Sequence, residues 1–361
     1  MIRAGTADHF GAYETAMVKT RCILVIGWLL AVIAAGGQIY PAAELSNGIL
    51  HAKIYLPDAK KGYYRGTRFD WSGVIASLEY KGHSYYGPFF QKFDPSVPDV
   101  IIGDTIVAGA NSAASGPVEE FIGPDETALG YAEAKPGEAF CKIGVGVLKK
   151  PVEGAYSSFQ HYTLLNSGTW AVRKGPDWIE FEQKVDCGTG YGYIYRKKIR
   201  LVKNKPTMIL EHSLRNTGSK VIDTEVYDHN FLSIDQQSSG PDFVITFPFD
   251  LKATAELNGI AEVRGRRISF LKVLAHEDTL YTPLEGFGDS AKDYKITVEN
   301  QKTGSGVVIT GDRPLSHLAF WAVRTVLAPE PFIRMKIPVG EEFSWKYTYD
   351  FYTKPAPATR K

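Results

Sequence analysis

Residues 208–227 read MILEHSLRNTGSKVIDTEVY, and this stretch indicates the fold class. Apolar and polar side chains alternate on both sides of Asn216-Thr217-Gly218-Ser219. A period of two is that of a β-strand with one buried face, and Asn, Gly and Ser are typical turn residues. We therefore predict that residues 208–215 and 220–227 form one long antiparallel hairpin.

The same alternation recurs along the rest of the chain. It predicts further strands at 159–165, 178–185, 191–202, 243–249, 307–310, 318–326 and 343–351. Outside an apolar segment near the amino terminus, no stretch keeps a helical apolar period over three turns. Many short strands without crossover helices indicate antiparallel sheets packed face to face, or a barrel, and we predict an all-β antiparallel β-sandwich. The Gly- and Pro-rich region 93–142 is expected to form a lid or rim loop.

The composition is that of a globular protein with an uncharged or weakly charged ligand. The 361 residues are 44% hydrophobic and 12% aromatic, which suffices for a large core. The formal charge is only +1, from 41 basic and 40 acidic residues. Nucleic-acid binding needs a positive patch that displaces counterions, so we expect no nucleic-acid partner.

The amino-terminal segment resembles a targeting signal. Lys19 and Arg21 precede an uncharged run, residues 22–43, whose apolar centre is followed by Ala and Gly residues. This order is typical of a secretory leader, although 22 uncharged residues could also remain as a membrane anchor. We expect cleavage, a secreted or periplasmic protein without stable membrane contact, and a single domain over residues 44–361.

Two cysteines, Cys141 and Cys187, remain after such a cleavage. An oxidising compartment would let them pair if the geometry allows, and two unrelated buried thiols are the alternative. Neither belongs to a Cys-x-x-Cys motif, which disfavours a zinc site. We expect no cofactor and no metal.

Residues 63–73, YYRGTRFDWSG, form the first candidate site region. Aromatic rings stack on the C–H face of a sugar, while Arg and Asp bind hydroxyl groups. We therefore predict that Arg68, Asp70 and Trp71 bind substrate. The alternative is a strand edge with core aromatics and an Arg68–Asp70 ion pair.

The second region, Tyr227-Asp228-His229-Asn230-Phe231, follows the predicted hairpin. Strict alternation places the side chains of Tyr227, His229 and Phe231 on one face and those of Asp228 and Asn230 on the other. A His between two aromatic residues is either a core residue or a general acid poised near neutral pH.

The third region is the apolar strand that ends in Pro329-Glu330-Pro331. The two prolines stiffen the backbone that carries the carboxylate of Glu330. A carboxylate on an apolar ledge is costly unless it faces a polar cavity. The alternative is an exposed Glu330 paired with Arg324, a residue that we also consider for substrate binding.

In their order along the chain, these motifs resemble the aldose 1-epimerase (galactose mutarotase) superfamily. The resemblance rests on Asp228-His229-Asn230-Phe231, on Ala328-Pro329-Glu330-Pro331 and on the closing stretch 337–345, IPVGEEFSW. It implies a galactose mutarotase-like supersandwich, with His229 as general acid and Glu330 as general base in opening a sugar ring. Asp228, an expected substrate-binding residue, stands where the family usually has Asn.

Three functions from different classes follow from this resemblance. The favoured one is an aldose 1-epimerase-type enzyme that acts on a mono- or oligosaccharide, as a monomer. A polysaccharide lyase or glycoside hydrolase on the same scaffold is the second. A non-catalytic carbohydrate-binding protein is the third, and it is expected if His229 and Glu330 lie far apart or are buried from solvent.

Overall fold

The computed structural model describes residues 40–97, 99–102 and 105–355. The predicted leader therefore lies almost entirely outside the described residues. Within them, no helix is long and apolar enough to cross a membrane.

The described residues form 26 strands and two short 3-10 helices, Ile234–Gln236 and Ala291–Asp293. In chain order the strands are β1 Ala42–Ser46, β2 Leu50–Tyr55, β3 Ile75–Tyr80, β4 His83–Tyr86, β5 Lys92–Phe93, β6 Val100–Ile102, β7 Thr105–Ala108, β8 Gly116–Ile122, β9 Ala139–Lys142, β10 Gly146–Lys149, β11 Thr163–Asn166, β12 Thr169–Lys174, β13 Trp178–Asp186, β14 Gly192–Leu201, β15 Thr207–Asn216, β16 Ile222–Phe231, β17 Phe243–Thr246, β18 Lys252–Ala253, β19 Ala261–Arg264, β20 Arg267–Phe270, β21 Thr279–Glu285, β22 Lys295–Asn300, β23 Ser305–Gly311, β24 His317–Val323, β25 Val326–Ile337 and β26 Glu342–Thr353.

Two large antiparallel sheets form the body of the fold. A ten-stranded sheet has the order β12-β13-β14-β15-β26-β23-β22-β17-β20-β19, and a six-stranded sheet has the order β18-β21-β24-β25-β16-β8. Alternate residues of each sheet meet in one apolar core, in which Ile199 and Phe351 of the first sheet lie with Val226 and Ile333 of the second. The all-β antiparallel sandwich is confirmed.

The predicted hairpin of residues 208–227 is wrong, although both of its strands exist. β15 pairs with β14 and β26, whereas β16 pairs with β25 and β8 in the other sheet. Both edges of β15 are occupied, so the turn at 216–219 carries the chain across from one sheet to the other. Asn216 fixes this crossing, because its buried amide donates hydrogen bonds to the carbonyls of Lys220 (2.8 Å) and Ile337 (2.9 Å).

Further expectations need correction. The predicted strands 159–165 and 243–249 are shorter in the structure, where β11 begins at Thr163 and β17 ends at Thr246. The predicted strand 318–326 is broken at residues 324–325, where β24 turns into β25. The region 93–142 is not only loop, because β8 lies within it and pairs with β16. Six of the seven residues of β8 are buried, so this segment is a core strand despite its Gly and Pro.

A disulfide joins Cys141 of β9 to Cys187, which follows β13, with 6.0 Å between the two Cα atoms. Of the two alternatives for these cysteines, the structure therefore contains the disulfide. At the amino-terminal side, β1 begins at Ala42, and Ala43 is buried opposite Ile54. The strand thus includes the last two residues of the segment predicted as leader.

Candidate active site

A large cavity lies on the face of the six-stranded sheet that points away from the ten-stranded sheet. This main cavity has a volume of about 760 Å³. Strands β8, β16, β21, β24 and β25 supply its floor, and the segments around β6, β7 and Phe159 supply its walls. The floor residues are Glu120, Ile122, Tyr227, His229, Phe231, Thr279, Tyr281, Trp321, Val323, Glu330 and Phe332.

His229 and Glu330 meet on this floor. Neighbouring strands β16 and β25 pair with Tyr227 opposite Phe332, so the next residues on the same face are His229 and Glu330. The distance from His229 Nε2 to Glu330 Oε1 is 3.1 Å, and the two side chains are only 5% and 9% exposed. The predicted alternation is confirmed, because Tyr227, His229 and Phe231 all line the cavity.

Burial determines which of the two side chains, His229 or Glu330, is protonated. It raises the pKa of Glu330 to about 8, while the positive charge of Arg68 acts in the opposite direction. Burial, together with Arg68, holds the pKa of His229 well below its ordinary value. The buried Nδ1 of His229 has no hydrogen-bond partner among the described residues, which also disfavours a charged imidazolium. The raised pKa of Glu330 and the lowered pKa of His229 both favour the neutral form of each side chain.

Aromatic rings fix the orientation of the imidazole. Phe231 stacks on His229 with 3.8 Å between ring centroids, and Phe69 and Trp321 each approach edge-on at 5.5 Å. These rings exclude polar neighbours from the faces of His229. They also offer apolar surface to a ligand, since Phe231 and Trp321 line the cavity.

Arg68 belongs to a second polar group on the cavity wall. Its Nε donates to Glu120 Oε2 at 2.7 Å and its Nη2 donates to the hydroxyl of Tyr227 at 2.8 Å. Lys142 donates to the other oxygen of Glu120 at 2.9 Å. Burial alone would raise the pKa of Glu120, but Lys142 and Arg68 outweigh it and keep the pKa below its ordinary value.

Sequence reasoning did not identify Glu120 as a site residue. Its signal is the pair Glu119-Glu120 inside the otherwise apolar strand β8, a costly placement unless each carboxylate finds a cation. The two side chains point to opposite faces of the sheet. Glu120 faces the main cavity, whereas Glu119 faces the core and binds Lys197 and His212.

Two residues predicted to bind substrate, Asp70 and Trp71, lie outside the main cavity. Asp70 is buried and accepts hydrogen bonds from the backbone N–H of Ser72 (2.8 Å) and the hydroxyl of Tyr195 (3.1 Å). Trp71 is also buried, and its indole N–H donates to the carbonyl of Gly66 at 2.7 Å. Arg68 pairs with Glu120 rather than with Asp70.

Asp228 and Arg324 are likewise absent from the cavity lining. The side chain of Asp228 is fully buried on the core side of β16, where it accepts a hydrogen bond from the hydroxyl of Tyr349. Arg324 lies in the turn between β24 and β25. Of the seven predicted site residues, the structure brings His229, Glu330 and Arg68 together. No group of three or more His, Cys, Asp or Glu within the described ranges is arranged to hold a metal ion.

Solved structures of other proteins have a fold similar to that of this chain. No family model and no curated protein matches the chain. The galactose mutarotase related enzyme of Lactobacillus acidophilus superimposes with a TM-score of 0.51 at 11% identity, covering 86% of this chain and 97% of that one. The chain has the galactose mutarotase-like fold.

Two further structures support this assignment. The GalM/aldose epimerase homologue of C. elegans has a TM-score of 0.51 at 13% identity, covering 87% of this chain and 99% of that one. The Slr1438 protein of Synechocystis sp. PCC 6803 has a TM-score of 0.51 at 10% identity, with 88% and 97% coverage. The resemblance read from the sequence motifs is thus confirmed for the fold, and the chemistry has to be argued from this chain's own residues.

Proposed function

We propose that the protein binds a sugar in the main cavity and opens its ring at the anomeric carbon, with Glu330 and His229 as the acid–base pair. The observation that carries the proposal is the 3.1 Å contact between His229 Nε2 and Glu330 Oε1 on the cavity floor. Two of the solved structures that share the fold are described as a galactose mutarotase related enzyme and an aldose epimerase homologue. Sugar chemistry in this cavity agrees with those descriptions.

Ring opening needs one group that gives a proton and one that takes a proton. The protonated Glu330 donates to the ring oxygen while neutral His229 accepts the proton of the anomeric hydroxyl. The bond between the anomeric carbon and the ring oxygen breaks, and the anomeric carbon becomes an aldehyde. After rotation about the adjoining carbon–carbon bond, the ring oxygen attacks the other face, and both protons return.

This assignment reverses the roles expected from the family resemblance, in which His229 is the acid. The two versions contain the same number of protons and differ in whether one proton resides on Glu330 or on His229, whose side chains are in contact at 3.1 Å. The raised pKa of Glu330 and the lowered pKa of His229 favour Glu330 as the proton donor in the opening step. In ring closure each residue performs the opposite task, so both roles are used in every cycle.

A screen of monosaccharides and oligosaccharides by polarimetry, with analysis of the products, tests the proposal. We expect faster conversion between anomers of at least one sugar, and loss of that activity in His229→Ala and Glu330→Ala. His317→Ala is the matched control, because His317 also contacts a glutamate at 3.1 Å but does not line the cavity. Wild-type rates in the His229 and Glu330 variants on every active sugar would overturn the assignment.

A polysaccharide lyase or glycoside hydrolase is the second candidate. It is favoured by one observation, the second carboxylate, Glu120, in the lining of the same cavity. Glycosidases use paired carboxyl groups at the scissile bond. New reducing ends or unsaturated sugars in the product analysis would support this candidate over anomer conversion.

We further propose that the protein is exported and acts as a monomer. The leader-like order of residues 19–43 and the Cys141–Cys187 disulfide support export, since disulfides persist in oxidising compartments. Mass analysis of the mature protein tests export: an intact segment 22–43 would contradict cleavage. Light scattering of the same sample tests the monomer.

A further inference from the structure

Two smaller cavities continue the main cavity along the surface. A middle cavity of about 210 Å³ shares Asp99 and Phe159 with the main cavity. An outer cavity of about 270 Å³ shares Pro95, Ala110 and His161 with the middle one. Cavities with common wall residues lie next to each other, and we call this row of three cavities the groove.

The first junction of this groove carries an exposed aromatic ring. Phe159 is 61% exposed, and its ring lies over the guanidinium of Arg68, with 4.5 Å from Cζ to the ring centroid. A large apolar side chain held at the surface by a charged partner is a platform for a ligand that itself has an apolar face. The C–H face of a pyranose is such a surface.

The outer cavity combines aromatic and polar groups. Tyr63 and Trp71 line it together with His161 and Arg65. The hydroxyl of Tyr63 is buried and has no hydrogen-bond partner among the described residues. The polar side chains of this cavity that a ligand can reach are those of Arg65 and His161, which are both exposed.

We propose that the groove binds an oligosaccharide, with the reducing-end sugar in the main cavity and the following sugars over Phe159 and against His161 and Tyr63. The orientation follows from chemistry, because only the reducing-end sugar has the free anomeric hydroxyl that ring opening requires. The choice of the reducing end therefore rests on the proposed function, while the groove itself rests on the shared walls. The inference also gives Trp71, which lies outside the main cavity, a place in ligand binding.

Calorimetric titration of the full-length protein tests the groove. The probes are gluco-, galacto- and manno-oligosaccharides of one to five units, and the readout is the ratio of pentamer to monomer affinity. We expect a ratio of about tenfold or more in at least one series, as stacking on one aromatic platform supports. Phe159→Ala and His161→Ala should reduce this ratio towards one. Leu271→Ala, an equally exposed apolar position outside the groove, should leave it unchanged.

The outcomes distinguish a failure of the groove proposal from a failure of the proposed function. Equal affinity for monomer and pentamer in every series that binds overturns the groove, even if monosaccharides are converted. The absence of binding in all series, or a ratio that Phe159→Ala and His161→Ala do not change, also overturns it. A length-dependent affinity without any anomer conversion supports the groove and contradicts the ring-opening proposal alone.

Discussion

Two His–Glu pairs lie on the same face of the six-stranded sheet. His229 Nε2 contacts Glu330 at 3.1 Å, and His317 Nδ1 contacts Glu225 at 3.1 Å. The stacked rings of Tyr227 and Phe332, with centroids 4.5 Å apart, lie between the pairs on this face. The residue types and distances are alike, so any difference in chemistry has to come from the surroundings.

The surroundings differ in burial. The side chains of His317 and Glu225 are 67% and 15% exposed, whereas those of His229 and Glu330 are 5% and 9% exposed. The imidazole of His317 is therefore largely in water, and contacts of such exposed side chains contribute little. Burial of the second pair raises the pKa of Glu330 to about 8 and leaves a proton available in a cavity that a ligand can enter.

A third pair shows that burial alone is not sufficient. His212 Nε2 contacts Glu119 Oε1 at 2.7 Å, and both side chains are fully buried in the core. Burial would raise the pKa of Glu119, but Lys197 and His212 lower it to about 2. Glu119 is therefore held in its charged form, and a ligand cannot reach it in the core. Glu330 differs from Glu119 in that it lines the main cavity and that its pKa is raised rather than lowered.

The largest expected effect comes from replacing the glutamate of the His229–Glu330 pair and, in parallel, the glutamate of the His317–Glu225 pair. Glu330→Gln should lower the rate of anomer conversion by about 10²- to 10⁴-fold, because the amide cannot donate or take the transferred proton. Glu225→Gln should leave the rate unchanged. Rates on an active sugar, measured by polarimetry for both variants, make the comparison. Equal losses in the two variants would contradict the role of burial.

The next largest effect concerns the buried contacts of Glu119 with Lys197 and His212. Lys197→Met removes the fully buried cation that Glu119 and Asp70 share, and should lower the free energy of unfolding by about 3–5 kcal/mol. Lys198→Met, on the neighbouring residue that points to the other face, is the control with a smaller expected cost. Chemical denaturation measures both. A Lys197 variant as stable as the wild type would show that this network does not stabilise the core.

The pH dependence of stability sharpens the comparison further. Between the ordinary pKa of a glutamate and about 8, the folded protein holds a proton on Glu330 that the unfolded chain has lost. The free energy of unfolding therefore falls as the pH rises through this window. Glu330→Gln removes this loss. As the pH rises from 5 to 8, the free energy of unfolding of the variant should therefore increase by about 2–4 kcal/mol relative to that of the wild type. His229 is present in both proteins, so its direct titration cancels to a first approximation.

Denaturation curves at pH 5, 6, 7 and 8 for both proteins give this difference. A difference that stays constant with pH would show that Glu330 has an ordinary pKa in the folded state.

The smallest effect is expected at the exposed pair itself. His317→Ala should change the free energy of unfolding by less than about 1 kcal/mol, since the side chain of His317 is largely exposed and contacts of exposed groups contribute little. Thermal or chemical denaturation checks this value. A larger loss would mean that exposure does not weaken the pair, and that the contrast with His229–Glu330 rests on something else.

The sequence indicated the strands and the alternation at His229 more reliably than their partners. A period of two shows that one face of a strand is buried, but it does not show which strand lies beside it. The stretch 208–227 therefore looked like a hairpin, although Asn216 carries the chain between two sheets. In the same way, Asp70 and Asp228 looked like ligand-binding residues because their core partners, Ser72 and Tyr349, form a polar interior that the sequence pattern does not reveal.

The order of motifs along the chain made His229 and Glu330 candidates, and both lie in the cavity lining, whereas Glu120 depends on contacts over long separations in sequence. Its partners Arg68, Lys142 and Tyr227 come from three other segments of the chain. Only the folded arrangement of β8 beside β16 brings these groups to one wall.

A double-mutant cycle on the rate of anomer exchange, followed by nuclear magnetic resonance, tests the central claim most directly. The four proteins are the wild type, Glu330→Gln, His229→Ala and the double variant. If the two side chains pass protons to and from one sugar as a unit, the double variant should be no slower than the slower single variant. Losses that simply multiply, or a wild-type rate in either single variant, would contradict it.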